Sequence, residues 1–121
     1  MKSPVRLYSD INNTLRIESF YHIIAEPGKD QWSFPLHYHS NLLEISLVTA
    51  GKADFECSRV KYTLKSGDLI VKNAGVLHSE VSSPEEGFEQ YCLGIGGVQM
   101  PGMPPDTMVP EGISPVRSEE H

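Results

Sequence analysis

The stretch His37-Tyr38-His39-Ser40-Asn41-Leu42-Leu43-Glu44-Ile45-Ser46-Leu47-Val48-Thr49-Ala50-Gly51, with Gly67, Gly75 and His78 after it, decides how this chain is read. In a strand alternate side chains share a face, so His37 and His39 point the same way with Cα atoms roughly 6.5–7 Å apart. Both imidazoles can then lean toward one ion about 2.0–2.2 Å from each donor atom. Within residues 42–49, Leu43, Ile45 and Leu47 alternate with Glu44, Ser46 and Val48, giving an apolar face and a face that carries the carboxylate. His78 comes from a later strand. Only a sheet folded back on itself, such as a barrel with a ligand-lined interior, brings it beside the others.

Outward from that stretch the punctuation is that of many short strands. Strands are expected at 15–25, 32–39, 42–49, 53–58, 61–64, 69–72, 77–82 and 88–95, separated by Pro27-Gly28, Ala50-Gly51-Lys52 and Lys65-Ser66-Gly67-Asp68. Pro35 marks an edge strand or a bulge. No segment keeps a helical period over three turns, so the chain reads as all-β, a small antiparallel sandwich or barrel. Its 121 residues support one domain, and folding at this size buries roughly two thirds of the unfolded surface.

Composition excludes several classes. No apolar run approaches the roughly 20 residues of a membrane span, and Met1-Lys2 leads into Pro4, Arg6 and Asp10 rather than a signal-peptide core, so a cytoplasmic protein without membrane contact is expected. Cys57 and Cys92 form no Cys-x-x-Cys pattern and read as free buried thiols. Sixteen acidic against ten basic residues give a net charge of −6 and a pI near 5.3, the wrong sign for attracting phosphate. If the protein acts on DNA, another segment must make the contact. Residues 99–121 hold Pro101, Pro104, Pro105, Pro110 and Pro115 with Gly102 and Gly112, a linker-like composition.

A family resemblance rests on these residues. His37-x-His39-x4-Glu44-x6-Gly51 resembles the first signature of the cupin superfamily, and Gly67-x5-Asn73-x-Gly75-x2-His78 resembles the second. Two positions depart from the pattern: Asn73 stands where the family usually has Pro, and Ser82 where it often has Asn. They weaken the turn before His78 and one polar contact after it, and leave the four candidate ligands in place. The resemblance covers about residues 32–95 and implies a cupin-type small antiparallel β-barrel, the double-stranded β-helix or jelly roll.

Within that superfamily the chain is most similar to the N-terminal sensor domain of AraC-type bacterial transcription regulators. The similarity lies in Leu43-Glu44-Ile45-Ser46-Leu47-Val48 before Gly51, Tyr62-x-Leu64-x2-Gly67-Asp68-Leu69, Gly75-Val76-Leu77-His78, and Phe88-Glu89-Gln90-Tyr91 before a Pro-rich connector. It implies a sensor domain over 1–98 with a short N-terminal arm at about 1–13, and a linker over 99–121 toward a helix-turn-helix half that this chain does not contain.

The four residues His37, His39, Glu44 and His78 then have two open readings. As a metal site, three neutral imidazoles and one carboxylate suit Zn²⁺, Mn²⁺, Fe²⁺ or Ni²⁺, with up to two open positions in octahedral geometry. As a metal-free pocket, they hydrogen-bond one another or a ligand directly. Glu80 and Ser82 share the parity of His78, and Gln90 and Cys92 stand where sensor cupins present ligand contacts, so Glu80, Gln90 and Cys92 join the expected ligand-binding set. No catalytic residue is assigned. The implied partner is a small-molecule effector such as a sugar or organic acid, with DNA reached through the missing half, and exposed strand edges make a homodimer an expected assembly. The competing reading is a free-standing metal-dependent cupin enzyme of dioxygenase, isomerase or decarboxylase type. Trp32 is expected in core packing, His22 half-buried on the first strand, and His121 solvated.

Overall fold

The computed structural model describes residues 15–118; the expected N-terminal arm and His121 lie outside the described residues. Among the described residues there are eight strands and no helix: β1 (Arg16–Ala25), β2 (Ser33–His37), β3 (Leu43–Cys57), β4 (Val60–Lys65), β5 (Leu69–Lys72), β6 (His78–Ser82), β7 (Phe88–Gly96) and β8 (Val116–Arg117). All pairings are antiparallel.

β3 corrects the sequence expectation, which places two strands and a turn at Ala50-Gly51-Lys52. The chain instead runs from Leu43 to Cys57 as one strand. Its first half pairs with β7 and β5, and its second half with β6 and β4. β3 therefore passes from one sheet (β1-β7-β3-β5-β8) into a second (β2-β6-β3-β4). The passage is made at a register break between Val48 and Ala50. There Gly51 adopts φ +78°, and a Cβ on it would overlap the Gly87 carbonyl. A contact made by residues far along the chain, rather than a local turn, is what requires glycine here.

The inner faces of the two sheets enclose one interior, although hydrogen bonding does not close them into a continuous barrel. Period-two alternation decides what fills it. At one end Ile23, Val48, Ala53, Phe55, Leu64 and Phe88 form the apolar core, and Trp32 packs against it, ring to ring with Phe34 and Phe88. Burying a large apolar side chain contributes about 1.5–3 kcal/mol. At the other end the inward positions are polar: Glu44 and Ser46 on β3, Lys72 on β5, His78 and Glu80 on β6, and Gln90 on β7 are all buried.

The Pro-rich segment does not leave the domain at residue 98. Val98 is buried and donates its N–H to Asp106 Oδ1 at 2.8 Å. Asn73, the residue in place of the family's Pro, accepts from the N–H groups of Met108 and Val109 at 2.9 and 3.1 Å and donates to the Val109 carbonyl at 2.8 Å. β8 then adds to the edge of β5. Up to residue 118 the segment expected as a linker is packed along the sheets.

Candidate metal and ligand site

His37 ends β2 and lies directly opposite His78 on β6, after an irregularity between Phe34 and His37 that Pro35 foreshadows. His39 sits beyond the strand, so strand parity alone does not aim it. Its carbonyl accepts a 2.6 Å hydrogen bond from the Gly75 N–H, which ties the residue to the turn before His78. Glu44 projects inward from the first half of β3 and is 3% exposed. One ligand atom from each of His37, His39, Glu44 and His78 falls within 4.8 Å of the other three. Two donors on one ion stand at most about 4.4 Å apart, and closer when they are adjacent, so the four atoms must draw inward to close around a metal.

The backbone sets the tautomer of two of the imidazoles. His37 Nδ1 lies 2.8 Å from the Pro35 carbonyl, and His78 Nδ1 lies 3.1 Å from the Val76 carbonyl. A carbonyl only accepts, so in each ring Nδ1 carries a proton, and Nε2 is the nitrogen whose lone pair the neutral ring can offer to an ion. Burial, reinforced by His78 and His39, outweighs the Pro35 carbonyl and holds His37 below the ordinary imidazole value. His39 Nε2 and His78 Nε2 each stand 3.4 Å from Glu44 Oε1, yet both are buried without a hydrogen-bond partner. An ion accepting those lone pairs resolves both vacant contacts, so the donor set fits a divalent metal.

The rest of the shell holds Glu44 in place. The Tyr21 hydroxyl donates to Glu44 Oε2 at 3.0 Å, leaving Oε1 to face the imidazoles. Burial by itself pushes the Glu44 carboxyl up, but without an ion His78 in its Nε2–H form, the Lys72 ammonium, His39 in the same N–H form and the Tyr21 hydroxyl outweigh it and pull the carboxyl down to about 2. Burial raises the Tyr21 phenol, with Cys92 and Glu44 adding to the effect.

The other expected ligand residues also face the interior. Gln90 Nε2 donates to Glu80 Oε1 at 3.2 Å, while Gln90 Oε1 and Glu80 Oε2 are buried without a hydrogen bond. Cys92 Sγ lies 3.1 Å from Ser46 Oγ, and burial raises its thiol so that it stays protonated. Ser82 Oγ is used elsewhere, accepting from the Trp32 N–H at 2.7 Å. His22 is on the outer face, stacked on Tyr91 and 2.8 Å from Glu89, away from the site.

Two residues were not singled out from sequence. Tyr21 shares the inward parity of Ile23 and Ala25 on β1. Lys72 shares that of Ile70 on β5, and its Nζ lies 3.8 Å from both Glu44 Oε1 and Glu80 Oε2. A lysine ending a short strand gives no sequence signal of burial; its two carboxylate partners supply the reason. A separate groove of about 1380 Å³ lies between residues 103–115 and the β3–β4 hairpin, bordered by Leu36, Val76 and Leu77; none of the four clustered ligands lines it.

The sequence profile of the AraC-like ligand binding domain matches residues 19–112, most of the chain. The chain belongs to the AraC-like ligand-binding domain family. Comparison with curated proteins gives no significant match. Among solved structures this AraC-like domain is similar to a predicted oxalate decarboxylase from Thermotoga maritima, at 22% identity over 76% of each chain with a TM-score of 0.56. It is also similar to a cupin protein from Bacteroides fragilis, at 18% identity over 75% of each chain with a TM-score of 0.54. The protein YhaK from Escherichia coli aligns at 14% identity with a TM-score of 0.61, over 85% of this domain but 41% of its own length. At these identities the structural likenesses show the cupin fold and nothing finer.

Proposed function

We propose that this AraC-like domain is the effector-sensing module of a bacterial transcription regulator. A small molecule binds at the polar end of the interior and alters how a helix-turn-helix half, outside these 121 residues, engages DNA. The observation that carries the reading is the pair of buried, unpartnered imidazole nitrogens on His39 and His78 within a domain of this family. Leaving a buried polar atom bare costs about 1–3 kcal/mol, so the site is built for an occupant.

His37, His39, Glu44 and His78 would hold a divalent ion such as Zn²⁺, Mn²⁺, Fe²⁺ or Ni²⁺, which supplies Lewis-acid attraction for an oxygen of the effector. The chain's own residues orient the rest. Tyr21 fixes the Glu44 carboxylate, and Gln90 Oε1 is free to accept from a hydroxyl of a sugar or organic acid. Cys92, a protonated thiol beside Ser46, lines the wall. Coupling of about 1–3 kcal/mol between effector and DNA is sufficient for a 5–150-fold response. Packing between two copies of the domain is the route by which occupancy would reach the DNA-binding half.

The test is a thermal-shift screen of sugars and organic acids on the chain, with and without metal, followed by sedimentation velocity with each hit. A hit that stabilises the domain, changes its self-association and is lost in His39→Ala supports the reading. A reading frame that ends at codon 121, with no hit altering self-association, overturns it.

The fold shared with a predicted oxalate decarboxylase, together with a donor set that leaves coordination positions open, favours a second reading as a metal-dependent enzyme of small carboxylic acids. Turnover by the metal-loaded chain, lost in His78→Ala, would establish it.

A further inference from the structure

The polar interior contains a cation that a metal site does not need. Lys72 is 4% exposed, and its ammonium lies 3.8 Å from Glu44 Oε1, the same oxygen that faces His39 Nε2 and His78 Nε2 at 3.4 Å. Its other flank is Glu80 Oε2, also at 3.8 Å and otherwise unbonded. The Phe55 ring centroid is 5.9 Å away and closes off the apolar side. A buried ammonium beside the carboxylate that would bind a divalent ion repels that ion at short range, where screening by water is weak.

Formal charges state the consequence. With neutral imidazoles, Glu44, Glu80 and Lys72 sum to −1 in this enclosed volume, and a divalent ion turns the sum to +1. Without Lys72 the ion-free sum would be −2 and the loaded site neutral. Lys72 thus leaves the loaded site one negative charge short. That deficit is matched by a small monoanion bound next to the ion, within reach of the ammonium.

We propose that Lys72 makes the site one for an ion and an anion together: a divalent metal and a small monocarboxylate bind with positive coupling, and neither binds tightly alone. The inference rests on the metal-holding part of the function proposed above and names the effector class as anionic. By linkage, the factor by which the anion raises metal affinity equals the factor by which the metal raises anion affinity. Gln90 Oε1, buried and unpartnered, is left to accept from a hydroxyl on the same acid.

The experiment titrates Co²⁺ into the chain, followed by its visible absorbance, with and without excess formate. In the wild-type chain formate should tighten Co²⁺ binding by about tenfold, equivalent to about 1.4 kcal/mol. In Lys72→Met, Co²⁺ should bind about tenfold tighter without formate, and formate should add less than about threefold. Lys72→Met leaves Glu80 without its counter-charge, so Lys72→Met/Glu80→Gln is measured as well. That double variant restores the formal sum of −1, and both its Co²⁺ affinity and its formate effect should return to within about threefold of wild type. Unchanged Co²⁺ affinity in Lys72→Met, or a double variant that binds as tightly as the single one, overturns the proposal while leaving the metal site standing. A wild-type chain that takes up no Co²⁺ with or without formate removes the metal-holding reading and this inference with it, whereas a loss of effector-driven self-association alone concerns only the regulator.

Discussion

Acid should strip this domain of a measurable share of its stability through one side chain. In the ion-free protein the Glu44 carboxyl falls from an ordinary 4.5 to about 2. A shift of that size, at about 1.36 kcal/mol per unit, corresponds to about 3 kcal/mol of folding free energy. The side chain is 3% exposed, so screening by solvent takes little from it. The sign follows from proton counting. A depressed carboxyl contributes fully above about pH 4.5, where both folded and unfolded chains are ionised. Between pH 4.5 and 2 the unfolded chain gains a proton that the folded one refuses, and the contribution drains away. Urea unfolding followed by Trp32 fluorescence in chelator at pH 7, 5, 4, 3 and 2.5 measures it against Glu44→Gln, whose amide does not titrate. The wild-type chain should lose about 2–3 kcal/mol more than the variant across that range, since all other carboxylates are common to both. Parallel curves would refute the electrostatic account of the site, because Lys72, His39 and His78 would then not be holding the carboxylate charged.

Three further outcomes follow from the structure. Gly51→Ala, with φ +78° and no room beside Gly87 and Phe88, should cost about 3 kcal/mol or more in urea unfolding; Gly28→Ala, at φ +71° in open space, should cost about 1 kcal/mol. Asn73→Ala removes three hydrogen bonds to residues 108–109, so amide exchange there should rise while the β3 and β7 amides keep their protection. Zn²⁺ at about a hundred times its dissociation constant should add about 2.7 kcal/mol of stability, and His78→Ala should abolish that gain, read as the shift in melting temperature.

Period-two patterning made the β class and the inward aim of Glu44 and His78 legible from sequence, because each is a property of consecutive residues. What it could not carry are features created by residues far apart in the chain. Ala50-Gly51-Lys52 has turn chemistry, yet Gly87 and Phe88 make the glycine a bulge within a continuous strand. Lys72 ends Leu69-Ile70-Val71-Lys72 as an edge lysine would, and only its cross-strand partner Glu44 and the β6 residue Glu80 explain its burial. Asn73 read as a weakened turn because its partners, Met108 and Val109, lie in a segment whose prolines look like a linker.

The corner in β3 and the site are one feature seen from two sides. Glu44 belongs to the half of β3 that pairs with β5 and β7, whereas His78 is on β6, which pairs with the other half at Cys57. A straight strand would hold those two positions, thirteen residues apart along β3, tens of ångströms from each other. The bend at Val48–Gly51 folds the two halves face to face and brings His78 Nε2 to 3.4 Å from Glu44 Oε1. Gly51 therefore acts on the site without touching it. The polar end of the interior, which contributes little hydrophobic stabilisation, is held by an apolar end that the same bend assembles from Val48, Ala53 and Phe55. A change that opens the corner should loosen the core and spread the four ligands together, so stability and metal affinity are expected to fall in step there, unlike at Lys72, where charge alone is altered.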